Sequence, residues 1–279
     1  MRHGFGVKMI VMYLEGGLGN LLFQVSTAQS VAFDNAIEDV FYLNIEGNFS
    51  KIQREHGSDI EGYKKSFLRH LKLSEPPMVY QPQIIHEGTF EYKPLHYEPG
   101  CYNIYKGYFQ SEKFFAHNDS RLLELFSPSE EIVGYIQNKY SFLNDLNCIS
   151  LHIRRGDYKH LPLHHPILPI EYYKKSLLNH KEYDKILVFT NDIQWCYDNL
   201  VDSRAIFIDE NEWTSLYIMS MCQQHIIANS SFSWWGAKLA ELFNPDKEIS
   251  VTYPSLWFGP AIQGNTQDIC PDRWQKCII

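Results

Sequence analysis

Between Cys148 and Val251, short runs of apolar and β-branched residues alternate with stretches of helical spacing. No other feature limits the fold as tightly. The runs Cys148–Ile153, Lys185–Thr190, Ala205–Ile208, His225–Ala228 and Lys247–Val251 read as strands, the last closing the sheet. Ile170 to Leu178, Gln194 to Leu200, Glu212 to Met221, and a stretch capped by Ser230 or Ser231 and running to Phe243, read as helices. Alternation of this kind specifies a parallel sheet, so the fold class is α/β.

The first half begins the same way. Val7 to Leu14 reads as a strand, Glu15-Gly16-Gly17-Leu18-Gly19-Asn20 as a loop, and Leu21 to about Phe33 as a helix. This is the opening of a Rossmann-like unit, without the third glycine of a dinucleotide fingerprint. The loop suits close backbone approach to a ligand at a helix start, and equally a plain turn. Asp39 to Asn44 is a second strand. Gln53 to Leu73 is mostly helical, up to a break at Pro76-Pro77. Phe90 to Tyr108 is irregular with short strands, Ile104 to Phe109 is a strand, and Gln110 to Lys113 opens a helix. Arg121 to Tyr140 is helical, with a fresh start at Ser127-Pro128. A chain of 279 residues suits one large or two medium domains; the pattern is read as two, 1–145 and 146–279, with the boundary near Leu143 to Leu146.

Three strands of the second half end in polar groups: Arg154-Arg155, Asn191-Asp192 and Asn229-Ser230-Ser231. In an open parallel sheet these ends share one edge, where ligands bind. Two guanidiniums leaving a buried strand call for an anionic partner, and a diphosphate is the simplest. A helix start at Ser230 and Ser231 adds backbone N–H groups and a positive dipole end, and Asp192 is placed to accept hydrogen bonds from a ribose or base. Plainer readings stand beside these: a solvated arginine turn, and simple helix capping at Asn229 to Ser231.

Net charge of −8 and a pI of about 5.8 argue against nucleic acid or an anionic membrane as the main partner. Six scattered cysteines without a C-x-x-C pair fit free thiols in a reducing, cytoplasmic setting. No secretory signal and no apolar run of about 20 residues is visible, which leaves only peripheral membrane contact open. The sequons at Asn48, Asn118 and Asn229 are then chance matches. His160, His164 and His165 lie in a proline-rich loop without a nearby carboxylate or cysteine, which argues against a metal site. The chain has no D-x-D motif to hold a metal on a diphosphate, so arginine must neutralise the charge.

The chain resembles the bacterial-type α-1,2-fucosyltransferases of glycosyltransferase family 11. The resemblance rests on G-G-L-G-N at Gly16 to Asn20 with Phe23-Gln24, K-G-Y-F-Q-S-E-K-F-F at Lys106 to Phe115, and H-I-R-R-G-D-Y at His152 to Tyr158. Tyr172-Tyr173, F-T-N-D at Phe189 to Asp192 and N-S-S-F-S-W-W-G-A-K-L at Asn229 to Leu239 complete it, in the family's order over nearly the whole length. It implies a GT-B-like fold of two Rossmann-like domains facing a cleft, residues 1–145 on the acceptor side and 146–279 binding GDP-fucose. It also implies metal-free, inverting transfer of fucose from GDP-β-L-fucose to the 2-hydroxyl of a terminal β-galactoside. The family's diphosphate contact carries onto Arg154, with Arg155 beside it. Asp157 is the carboxylate nearest the reaction in sequence, as a catalytic group or a brace for the arginines. His152, Asp192, Asn229, Ser230, Ser231 and Phe232 are further expected substrate contacts, with Gly17, Gly19 and Asn20 from the first domain and Glu15 beside them. Leu21-Leu22-Phe23 stands where the family usually has Gln-Met-Phe, a departure that bears on acceptor choice. Trp234 and Trp235 read as core. The rival readings are a fucosyltransferase of another linkage (α-1,6 or protein O-fucosylation) and a silent glycan- or nucleotide-binding protein.

Overall fold

The computed structural model describes residues 9–56, 60–74, 76, 82–180 and 182–279. Val7, where the first strand is expected to begin, and Pro77 lie outside them. The chain forms two compact units, one comprising the residues up to Phe126 with Gly264–Ile269, the other Ser127–Gln263 with Cys270–Ile279.

The first unit contains β1 (Met9–Tyr13), α1 (Leu18–Asp34), β2 (Val40–Leu43), α2 (Ile45–His56), α3 (Ile60–Lys65), β3 (Pro82–His86), β4 (Tyr102–Lys106) and α4 (Asp119–Phe126). Its sheet has the order β2-β1-β4-β3, with every pair parallel. Three elements differ from expectation. α2 begins at Ile45, eight residues before the expected helical stretch. β3, an edge strand with an exposed alternate face, is not legible among the prolines and glycines around it. Gln110 to Lys113 opens only a single 3-10 turn at Glu112–Phe114, begun by the Ser111 side chain accepting from Lys113 N.

The second unit contains α5 (Glu130–Lys139), β5 (Cys148–Ile153), α6 (Ile170–Leu178), β6 (Lys185–Thr190), α7 (Ile193–Asn199), β7 (Ala205–Phe207), α8 (Glu212–Ser220), β8 (Gln224–Ile226), α9 (Ser231–Phe243), β9 (Ser250–Pro254) and β10 (Gln275–Cys277). Its sheet runs β10-β9-β8-β5-β6-β7, again all parallel. All six residues of β5 are buried, as a strand covered on both faces must be. The strand expected to close the sheet does not: β10 pairs outside β9. Only three residues long, β10 carries no periodicity to betray it.

The units part between Phe126 and Ser127 rather than at 145/146. α5 belongs to the second unit because Tyr135, Lys139 and Tyr140 converge on Glu210 at 2.6–2.8 Å. Gly264–Ile269 returns to the first, where Asp268 accepts from Tyr92 N at 2.8 Å and pairs with Lys113.

The W-W-G motif is packing. Trp234 and Trp235 are both fully buried, their rings 5.3 Å apart and Trp234 5.4 Å from Trp274. Gly236 lets α9 approach α8, since a Cβ there would stand 2.5 Å from Met219 Sδ. The six cysteines form no disulfide. No described helix is long and apolar enough to cross a membrane.

Candidate active site

β8, β5 and β6 are neighbours at the centre of the second sheet, so their carboxyl ends converge. Arg154 leaves β5 and meets Asp157. Its Nη2 donates to Asp157 Oδ2 at 2.9 Å; its Nε lies 2.9 Å from Oδ1, close enough for an ion pair although its N–H is not aimed along that line. The guanidinium also lies over the Tyr158 ring, 5.5 Å from its centroid. Asp157 Oδ1 accepts from Asn191 Nδ2 at 3.2 Å as well. With both oxygens engaged, Asp157 has the geometry of a brace.

Arg155 turns the other way. It lies 4.0 Å from the centre of the Trp195 ring and donates from Nε to Asp192 Oδ2 at 3.2 Å. Lys159 Nζ is 2.6 Å from the same oxygen. Hydrogen bonding from Lys159, joined by Arg155, holds the Asp192 carboxyl below its ordinary range. The group expected to receive a ribose or base is thus held in an ion-pair triad.

Asn229 is 1% exposed. Its side-chain amide nitrogen donates to Pro166 O at 3.0 Å and Trp257 O at 3.1 Å, joining two loops, while its backbone carbonyl accepts from Tyr158 Oη at 3.0 Å. It is a clamp under the site. Ser230 is the N-cap residue of α9, but its side chain makes no cap bond. Ser233 Oγ instead accepts from Ala228 N at 3.2 Å. Capping therefore does not account for the paired serines. His152, buried on β5, faces Phe232 with ring centroids 5.4 Å apart. Burial, aided by the charge of Arg154, lowers its pKa to about 3, so the imidazole is neutral. His165 stacks on Tyr158 at 4.6 Å. Among the described residues, no group of three or more His, Cys, Asp or Glu side chains is arranged to hold a metal ion.

In the first unit the glycine loop is fixed from β4. Gln24 accepts from Glu15 N at 3.1 Å and donates to Glu15 O at 3.2 Å and to Gly107 O at 3.0 Å. Gln110 Nε2 donates to Asn20 Oδ1 at 2.8 Å. Gly16 has φ +82°, and a Cβ there would stand 2.3 Å from Asn20 Nδ2, so the turn requires glycine. Gly17 is the N-cap of α1 and Gly19 lies in its first turn. Glu87 Oε2 accepts from Tyr108 N at 2.7 Å and Phe109 N at 2.8 Å; burial raises its pKa against those two bonds. Leu21 is fully buried in α1, so its departure from the family pattern is a core substitution.

Residues 85–254 match the family described as Glycosyl transferase family 11. The chain belongs to that family. It is 30% identical to the α-1,2-colitosyltransferase of Escherichia coli, over 97% of this chain and 99% of that one. It is 29% identical to the O-antigen biosynthesis glycosyltransferase WbnK of Escherichia coli, over 94% and 98%. Among solved structures, the glycosyl transferase family 9 protein of Veillonella parvula overlays with a TM-score of 0.51 at 12% identity, covering 98% of this chain and 86% of that one. The α/β architecture is therefore GT-B-like, and the protein is a glycosyltransferase of family 11.

Of the residues expected at the site, the second unit pairs Arg154 with Asp157, Arg155 with Asp192 and His152 with Phe232, while Tyr158, under the Arg154 guanidinium, donates to the Asn229 backbone carbonyl just before Ser230 and Ser231 open α9. Asn20, Gly17 and Gly19 belong to the first unit. Sequence reasoning missed Asn191, Lys159, Trp195 and Glu87 as partners. Only the H-I-R-R-G-D-Y and F-T-N-D motifs, taken as paired strand ends, carried any signal for Asn191.

Proposed function

We propose that this family 11 enzyme transfers L-fucose from GDP-β-L-fucose to the 2-hydroxyl of a terminal β-galactoside, with inversion and without a divalent cation. The observation that carries this reading is the placement of Arg154. It follows the carboxyl end of the central strand, over the Tyr158 ring whose hydroxyl donates to the Asn229 backbone carbonyl just before α9, with its guanidinium on Asp157. A guanidinium carries five N–H donors, more than one carboxylate takes up, so Arg154 keeps donors for an oxyanion. In the reaction the acceptor oxygen bonds to the anomeric carbon, the bond to the β-phosphate oxygen breaks, and the hydroxyl proton passes to solvent water. Negative charge grows on the departing GDP, where Arg154 and the α9 N–H groups stabilise it.

The name of the colitosyltransferase relative supports the 1,2 linkage. It also favours a second reading, in which colitose replaces fucose. Both are tested by incubating the enzyme with GDP-fucose or GDP-colitose and lactose, N-acetyllactosamine or lacto-N-biose, with and without EDTA. NMR then assigns the linkage. GDP release and an α-linked sugar on galactose O2, unchanged by EDTA, are expected. A product linked elsewhere, or turnover that stops with EDTA, rejects the proposal. Donor binding without GDP release supports a silent binding protein instead.

A further inference from the structure

Asn191 follows β6, and its side chain makes three hydrogen bonds, all to the turn that follows β5. Oδ1 accepts from the backbone N–H of Arg155 and of Gly156, each at 3.0 Å. Nδ2 donates to Asp157 Oδ1 at 3.2 Å, and Asp157 holds Arg154. Gly156 is shaped to this contact, since a Cβ there would come within 2.6 Å of Asn191 Nδ2 and 3.3 Å of the Asn191 carbonyl oxygen. The glycine of R-R-G-D is thus explained by an asparagine on the next strand. One planar amide presents an acceptor to two N–H groups and a donor to a carboxylate; aspartate can do only the first. An arginine side chain left unsupported loses much rotamer entropy on meeting a ligand, and a braced one has lost it beforehand.

We propose that Asn191 is the positioning residue for Arg154, setting through Asp157 and the turn backbone the direction in which that guanidinium meets the departing diphosphate. The inference rests on the role given to Arg154 above. In this role Asn191 acts on the ligand only through Arg154.

The test uses the full chain in steady-state turnover, with Arg154→Ala, Asn191→Ala, their double variant and Asn191→Asp, each checked by circular dichroism. Asn191→Ala is expected to lower kcat about tenfold, the order of a lost hydrogen-bond brace, with the acceptor KM little changed. In the Arg154→Ala background the same change should cost almost nothing more, because the two residues act as one unit. Asn191→Asp keeps both amide bonds but sets a carboxylate against Asp157. Its activity should be low near about pH 8 and recover toward about pH 5, as the pair takes up a shared proton. Asn191→Ala should show no such recovery. Wild-type kcat in Asn191→Ala, multiplying losses in the double variant, or a wild-type pH profile in Asn191→Asp overturns the inference. Near-normal turnover by Arg154→Ala overturns the underlying role and this inference with it, whereas a slow Arg154→Ala beside a normal Asn191→Ala overturns the inference alone.

Discussion

A guanidinium can aim its N–H groups at an anion and lie over an aromatic ring, and Arg155 does both within the protein, with Asp192 as the anion and Trp195 as the ring. Its side chain is 16% exposed and its partner Asp192 12%, so solvent screens the pair only partly. Arg155→Ala removes the Trp195 contact and one of the cations on Asp192. A loss of about 1–2 kcal/mol of stability is expected in chemical denaturation. Arg154→Ala should behave in the opposite sense. Turnover falls about 10²–10³-fold, as when one oxyanion ligand is removed, while the unfolding midpoint stays close to wild type. If Arg154→Ala unfolds early and Arg155→Ala loses only rate, the two assignments are reversed. Both residues stand side by side in H-I-R-R-G-D-Y, and only the family resemblance singled out Arg154. Trp195, Asp192 and Asn191 separate their roles, and all three follow a strand more than thirty positions along the chain.

At the scale of elements, the site is a set of strand ends tied by loops. The loop carrying His164 and the segment after Trp257 are bound by Gly259 N donating to His164 O at 2.8 Å and Ala261 N to Leu163 O at 2.9 Å. Asn229 joins the same two loops from below. A Cβ at Gly259 would stand 2.3 Å from the Leu163 carbonyl oxygen and 2.7 Å from its carbon, which are backbone atoms with little room to shift. Gly259→Ala is therefore expected to destabilise by about 1–3 kcal/mol, read from the urea midpoint. An unchanged midpoint would mean that the loops part freely. The strands of this half were legible because buried parallel strands are continuous apolar runs, and the helices because their apolar spacing is 3.6. β3 and β10 were not, since an edge strand is defined by the neighbour it pairs with.

The whole molecule carries a pH dependence set by buried imidazoles. Burial lowers His152 and His225 from 6.5 to about 3, and His180 from 6.5 to about 4. His225 Nε2 lies 3.0 Å from Cys222 O, a bond that the neutral ring donates. Below about 6.5 the unfolded chain takes up protons at these sites and the folded chain does not, so acidification favours unfolding. Carboxylates with lowered values, such as Asp192 and Asp268, act the same way only below their ordinary 3.8. Between about pH 6.5 and 4.5 the histidines dominate, and the urea midpoint should fall steadily across that window. His225→Asn should flatten the slope; a slope unaltered by it places the sensitive protons elsewhere.

The sequence by itself determined that the second half is a parallel α/β sheet whose central strands end in arginine, asparagine and serine, because periodicity and turn chemistry are local properties. Its motifs likewise placed the chain in family 11. Only the tertiary structure decided that α5 belongs with the second unit, that Asn229 is a clamp and that one arginine of the pair is braced while the other is stacked. Those outcomes depend on partners brought close by folding, and the distance between partners in space is not written in their spacing along the chain.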